Sequence, residues 1–156
     1  MGVNFYTNAT ESMRIDTAGR VTMPYQPAWN YVGGTVLSTG SYVTIKPSTA
    51  VIASSDYNTS TGLFTAPVAG KYYMGVWGLM YPTDNSVATY LFFKNGSTYG
   101  HVVQHAGHLD NNHDMISASM VFSLSANDTI GFQILRTGGS ANAYSTQWNQ
   151  FGYLIG

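Results

Sequence analysis

The run Lys71-Tyr72-Tyr73-Met74-Gly75-Val76-Trp77-Gly78-Leu79-Met80-Tyr81 is apolar or aromatic at both its odd and its even positions. A strand with one wet face alternates apolar with polar residues, so a long run that does not alternate must be covered on both sides. One side packs on a core. The other side admits two readings. It is either a tyrosine-rich outer face, tolerable because the phenol keeps a polar tip, or a subunit interface, where aromatics and Met are enriched and charge is depleted. The second reading makes Tyr72, Tyr73, Met74, Val76, Trp77, Leu79 and Tyr81 candidate contacts between copies.

The rest of the chain is built to surround such a strand with others. Only 8% of residues are charged, against a usual share of about 25%. Water-facing positions therefore fall to Ser, Thr, Asn, Gln, Gly and Tyr, which suit strands and turns and not surface helices. β-Type runs are expected at Ala28–Val32, Ser41–Ile45, Gly62–Ala66, Gly70–Met80, Val87–Lys94, His101–His105, Met115–Leu124, Thr129–Leu135 and Phe151–Ile155. Clusters of turn-forming residues separate them, among them Thr83-Asp84-Asn85, Lys94-Asn95-Gly96-Ser97 and Ala126-Asn127-Asp128. Asn-Gly is the strongest short hairpin signal of these. Many short strands at regular spacing mean an all-β sandwich or jelly roll.

A chain of 156 residues can bury roughly 70% of its unfolded surface, so its core needs no covalent staple. Cysteine is absent, which for a domain of this size points to a bacterial or viral source over a eukaryotic secreted one. The net charge of -1 gives nothing to attract nucleic acid. No apolar run approaches the ~20 residues of a helical membrane span, and the N-terminus lacks the basic and apolar regions of a signal peptide.

Residues 1–23 differ from the rest of the chain. Glu11, Arg14, Asp16 and Arg20 crowd together around a turn at Thr17-Ala18-Gly19, with Met13, Ile15 and Val21 as sparse apolar points. This reads as a short hairpin or stalk element, and Pro24 and Pro27 mark the boundary with a head domain at 24–156.

Tyr57-Asn58-Thr59-Ser60-Thr61-Gly62-Leu63-Phe64-Thr65-Ala66-Pro67-Val68-Ala69-Gly70-Lys71-Tyr72-Tyr73 resembles the signature of the globular head of complement component one, subcomponent q. Leu124-Ser125-Ala126-Asn127-Asp128-Thr129-Ile130 is similar to the family's Leu-x-x-Gly-Asp-x-Val turn, and Gly152-Tyr153-Leu154-Ile155 to its closing strand. The resemblance implies a tumour-necrosis-factor-like jelly-roll β-sandwich of about ten antiparallel strands, trimeric, acting as a recognition head. Three positions depart from the pattern. Ala66 stands where vertebrate members often have Cys, Asn127 replaces the turn glycine, and Gln150 occupies a place often held by Phe. These departures argue against a vertebrate secreted member and forbid carrying over a vertebrate ligand. The segment Glu11-Ser12-Met13-Arg14-Ile15-Asp16-Thr17-Ala18-Gly19-Arg20-Val21 resembles one common in phage tail-fibre and virion structural proteins, where it precedes a terminal domain.

Candidate chemistry is sparse. All four histidines fall in one stretch, and His105, His108, Asp110, His113 and Asp114, with His101 nearby, form a candidate receptor or metal loop. Imidazole and carboxylate suit a transition metal, but the spacing matches no compact zinc pattern. Heads of this family often carry calcium, yet Asp56, Asp84, Asp110, Asp114 and Asp128 are too scattered to supply its oxygen ligands locally. No cofactor is expected. Asn8, Asn58, Asn95 and Asn127 begin Asn-x-Ser/Thr triplets, and the last three sit at expected turns, where Asn has a backbone reason to be. No cysteine nucleophile, Gly-x-Ser-x-Gly elbow or phosphate loop occurs, so no enzyme is expected. Tyr25, Trp29, Tyr99, Tyr144 and Trp148 are candidates for stacking on sugars, with some of them due to be core.

The sequence therefore reads as the trimeric head of a phage fibre or tail, located on the virion. It would bind itself, other virion proteins and a host-surface glycan or protein, and neither nucleic acid nor a membrane interior. A structural trimerisation or capsid-decoration knob, and a bacterial surface or spore-coat protein, fit the same residues.

Overall fold

The computed structural model describes residues 2–34, 40–80, 87–106, 114–137 and 147–156. These residues form strands and no helix: β1 (Val3–Thr7), β2 (Thr10–Ile15), β3 (Val21–Thr22), β4 (Ala28–Gly33), β5 (Tyr42–Thr44), β6 (Thr49–Ile52), β7 (Tyr57–Asn58), β8 (Leu63–Thr65), β9 (Gly70–Met80), β10 (Val87–Lys94), β11 (Ser97–Ala106), β12 (Asp114–Leu124), β13 (Thr129–Thr137) and β14 (Trp148–Leu154). Three antiparallel sheets result. β1, β2 and β3 make a small N-terminal sheet; a five-stranded sheet runs β12-β9-β14-β4-β6; a second large sheet runs β11-β10-β13-β8-β7, with β5 also paired to β13.

The two large sheets face each other and enclose one aromatic core, the jelly-roll sandwich anticipated from the strand pattern. Trp29 of β4 stacks flat on Phe64 of β8, with centroids 3.7 Å apart and planes 8° apart. Tyr31 of β4 stacks on Tyr57 of β7 at 4.4 Å. Phe92 of β10 meets Phe122 of β12 edge-on at 4.7 Å. Each of these pairs bridges the two sheets. Truncating a buried Phe or Trp of this kind costs about 3–5 kcal/mol, so the three contacts fix how the layers face each other.

All nine expected strands form, several with shifted ends. β11 begins at Ser97, because Asn95 and Gly96 both take the left-handed conformation (φ 48° and 80°) and close a tight hairpin from Lys94 to Ser97. The last strand begins at Trp148, not Phe151, because Trp148 already pairs with Gly33 and Gly78. The short strands β6 and β7 are additions. The N-terminal hairpin proves to be a three-stranded sheet, its β2–β3 turn closed by Asp16. That carboxylate accepts from the Arg20 and Ala18 backbone N–H groups at 3.0 and 2.9 Å and from Arg20 Nε at 2.7 Å. The Arg20 N–H and guanidinium hold its carboxyl below the ordinary Asp range.

Register places the sandwich ends. Gly70 pairs with Leu124, Thr65 with Thr129, and Tyr153 with Ala28, at the end nearest the N-terminal sheet. At the opposite end Met80 pairs with Asp114, Val87 with Ala106 and Thr137, and Trp148 with Gly33. The strand ends that bracket residues 81–86, 107–113 and 138–146 therefore gather at the pole farthest from the N-terminal sheet.

Candidate functional site

Along β9 the side chains alternate. Tyr72, Met74 and Val76 point into the sandwich and are 0–1% exposed, whereas Tyr73, Trp77 and Leu79 point outward. The strand thus divides the candidate interface set. Tyr72, Met74 and Val76 are sealed inside their own subunit and cannot touch another. Tyr73, Trp77 and Leu79 lie on an open surface, and Tyr81 lies outside the described residues. Period-2 geometry forces this split: with both faces apolar, the run alone does not reveal which set turns inward.

The neighbouring strands extend the outward face. Across from Trp77 lie Ser117 of β12 and Asn149 of β14; across from Gly75, Ser119 and Phe151; across from Tyr73, Val121 and Tyr153; across from Leu79, Met115. Sequence reasoning missed these β12 and β14 residues, whose shared face follows only from register. The Phe151 ring covers Gly75, filling the space a Cβ would take. Tyr73 packs against Phe151 and Tyr153 with centroids 6.1 and 5.6 Å apart, and its hydroxyl donates to Ser119 Oγ at 2.9 Å. A hollow of about 250 Å³ lies between Trp77, Ser117, Ser119 and Phe151. Asn149 is 5% exposed and donates through Nδ2 to Asn30 Oδ1 at 2.6 Å. None of these side chains carries an acid or a base. Met115 is 73%, Val121 49% and Trp77 41% exposed. Beyond Lys71, exposed on the same side at the start of β9, this aromatic, half-open sheet face has the composition that association surfaces favour.

The candidate receptor or metal loop is only partly in view. His101 and His105 lie on β11, the edge strand opposite β7, and Asp114 opens β12. The ends of β11 and β12 both lie at the far pole. His108, Asp110 and His113 lie outside the described residues. Among the described residues no group of three His, Cys, Asp or Glu is placed to hold a metal.

The remaining candidates resolve individually. Trp29 and Trp148 are core residues, each 1% exposed, and are withdrawn as sugar-stacking candidates because the sandwich covers both rings. Tyr25 is 70% exposed, and Tyr99 is 40% exposed with the Lys94 ammonium 5.3 Å from its ring centre. Tyr144 lies outside the described residues. Asn8, Asn95 and Asn127 all have positive φ, and Asn58 Oδ1 accepts from the Ser60 and Thr61 N–H groups at 2.9 and 3.2 Å. All four serve turns.

Of the aspartates weighed for calcium, Asp128 is committed to structure. Its carboxylate takes Lys94 Nζ at 2.9 Å, Asn95 Nδ2 at 2.6 Å and the Ser125 N–H at 2.8 Å. The lysine and these donors pull its pKa down to about 2. Gln150, one of the departures, is buried in the core and 3.5 Å from the Tyr57 hydroxyl. Burial, with Tyr31 beside it, pushes the Tyr57 phenol well above its ordinary value.

Comparison with known proteins agrees with this architecture. The model of the C1q domain family matches residues 42–155. No curated protein matches the chain in sequence. Among solved structures, the globular domain of zebrafish complement 1qA protein superposes with a TM-score of 0.61 at 16% identity, covering 84% of this chain and 98% of that one. Murine APRIL superposes with a TM-score of 0.59 at 13% identity, covering 83% of this chain and 99% of its own. At these identities the likeness concerns the fold.

Proposed function

This chain belongs to the C1q domain family, and from that premise we propose that it is the trimeric, non-enzymatic recognition head of a phage fibre or tail. Domains of the family form homotrimers and bind receptors or ligands. The observation that carries the proposal is the outward face of the five-stranded sheet, where Tyr73, Trp77, Met115, Val121, Phe151 and Tyr153 form one aromatic and apolar surface with Lys71 at its edge. A face of this kind left in water is a liability; packed against two copies it becomes the centre of an assembly.

Association through that face sets three copies of the far pole side by side. Three weak contacts then act together, and avidity exceeds the affinity of each. Ala106 at the end of β11 and Asp114 at the start of β12 lie at that pole, opposite the N-terminal sheet, and His108 and His113 fall between them in the sequence. With a near-neutral chain, the ligand class that fits is an uncharged host-surface glycan or a protein of low charge. The stalk-like segment 11–21 supports placing the head on a virion, its free pole turned to the host.

Light scattering on a sizing column tests the assembly. A species of three times 16.9 kDa supports the head, and a monomer at micromolar concentration removes it. Competition tests the role. Purified head should block adsorption of the parent phage to its host; a trimer that neither binds cells nor competes is a structural knob instead.

A further inference from the structure

We infer that the N-terminal sheet is a second self-association element, its apolar face covered by the same sheet from two other copies of this chain. The inference rests on the trimeric reading of the head and extends it to a part of the chain outside the residues that the C1q domain model matches. Register carries it. Val3 lies opposite Ile15 and Ile15 opposite Val21, while Phe5 lies opposite Met13. Directly paired residues share a face, so these five apolar side chains line one side of the sheet, and Asn4, Arg14 and Thr22 line the other.

That side is open to water along β1 and β3 and only partly covered along β2, where Met13 and Ile15 are half-buried. Val3, Phe5 and Val21 are each about half exposed, and no residue of β1, β2 or β3 is buried. A sheet this small has no stability of its own without a covered hydrophobic face. Something must therefore pack on it.

Two observations select copies of the chain as the cover. The first is charge. The segment holds two acids and two bases and pairs them internally, Arg14 with Glu11 at 3.8 Å and Arg20 with Asp16 at 2.7 Å. Identical sheets can therefore meet without net repulsion, and no surplus charge is left to select a charged partner. The second is continuity. A groove of about 510 Å³ between sheet and head is bordered by Ser12, Met23, Tyr25, Val68 and Ile155. Ile155 continues the outward alternation of Phe151 and Tyr153. The apolar surface of the proposed head interface thus runs past the groove towards the N-terminal sheet. An assembly that joins three heads through that face also brings three of these sheets together.

Single-thiol cross-linking decides the point, because the chain has no cysteine of its own. Phe5→Cys and, as a second probe, Val21→Cys place one thiol on the apolar side; Asn4→Cys places it on the other. Each full-length variant is oxidised and run on a non-reducing gel, with its mass and circular dichroism compared with the parent before oxidation. A disulfide needs Cα atoms within about 7 Å, so covalent dimers should form from Phe5→Cys or Val21→Cys, leaving one chain of each trimer unlinked, and not from Asn4→Cys. A trimer that cross-links equally from both sides, or from neither, overturns the inference while the head reading stands. A monomeric parent overturns both.

Discussion

The indole of Trp148 covers Gly78, the residue directly opposite it across the β9–β14 ladder, in the space a Cβ would fill. The same sheet repeats the arrangement twice. Trp29 covers its partner Gly152 from the core side, and Phe151 covers Gly75 from the outside. Each missing side chain is replaced by a ring from the next strand, so three glycines that would weaken strands become seats for the largest residues of the sheet.

Gly78→Ala therefore sets two effects against each other. Removing a strand glycine gains about 0.5–1 kcal/mol of backbone entropy. Forcing a methyl group into the Trp148 ring costs about 1–3 kcal/mol in displaced packing. The cost wins, and the variant should melt several degrees lower than the parent at equal protein concentration. Gly96→Ala is the control. Nothing lies within 4 Å of its Cβ position, so its penalty comes only from φ +80°, and its tryptophan fluorescence should stay that of the parent.

Asp128 should give the fold a specific acid sensitivity. Its folded pKa is about 2, below the ordinary 3.8. A carboxylate with a depressed folded pKa contributes stability that is whole above its unfolded pKa and is lost as pH falls towards the folded one. Asp128→Asn should consequently be less stable than the parent at pH 6, by an amount constant down to about pH 5 and shrinking between about pH 4 and pH 2. Melting curves across that range check it; a gap that persists unchanged at pH 2 would assign the effect to shape and not to charge.

The sandwich was legible because its strands carry aromatic and apolar residues between strong turn signals, and Asn95-Gly96 announced its own hairpin. β6 was not, since Thr49–Ile52 is exposed along its whole length and follows a proline. β7 is two residues inside what reads as a turn. Strand β9 was legible as two-faced, yet its inner and outer sets were not separable: Met74 and Trp77 look equally apolar, and only pairing with β12 and β14 assigns them. For the same reason Trp148, plausible as a sugar platform, proved to be core. The histidine-rich stretch was conspicuous only by composition, and most of it lies outside the described residues.

Ala9 offers a gain of stability. It sits at φ 63° beside Asn8 at φ 49°, a hairpin turn with both central residues left-handed. A side chain costs about 1–2 kcal/mol there relative to glycine. Ala9→Gly recreates the Asn-Gly turn that the chain already uses at Asn95-Gly96. Hydrogen exchange of the β1 and β2 amides should slow severalfold, while the core amides of β9 and β13 keep their parent rates. Equal or faster exchange in β1 would mean that the turn does not limit the opening of this sheet.

Trp77 and Tyr72, five residues apart on one strand, should fail in opposite ways. Trp77 is open to solvent in the single chain, and the residues opposite it are Ser117 and Asn149. Trp77→Glu adds charge only where copies are proposed to meet, so each subunit should keep its β-rich circular dichroism while the solution mass falls from three times to one times 16.9 kDa. Tyr72 is fully buried, packs against Phe64 with centroids 5.5 Å apart, and donates its hydroxyl to the Val68 carbonyl at 2.8 Å. Tyr72→Ala removes the ring and leaves that carbonyl without its donor, at a cost of about 3–5 kcal/mol, so here the fold itself should be lost or its melting point should collapse. If Trp77→Glu remained a trimer with parental stability, the outward face of the five-stranded sheet would not be the contact, and the assembly would have to be sought on the other sheet.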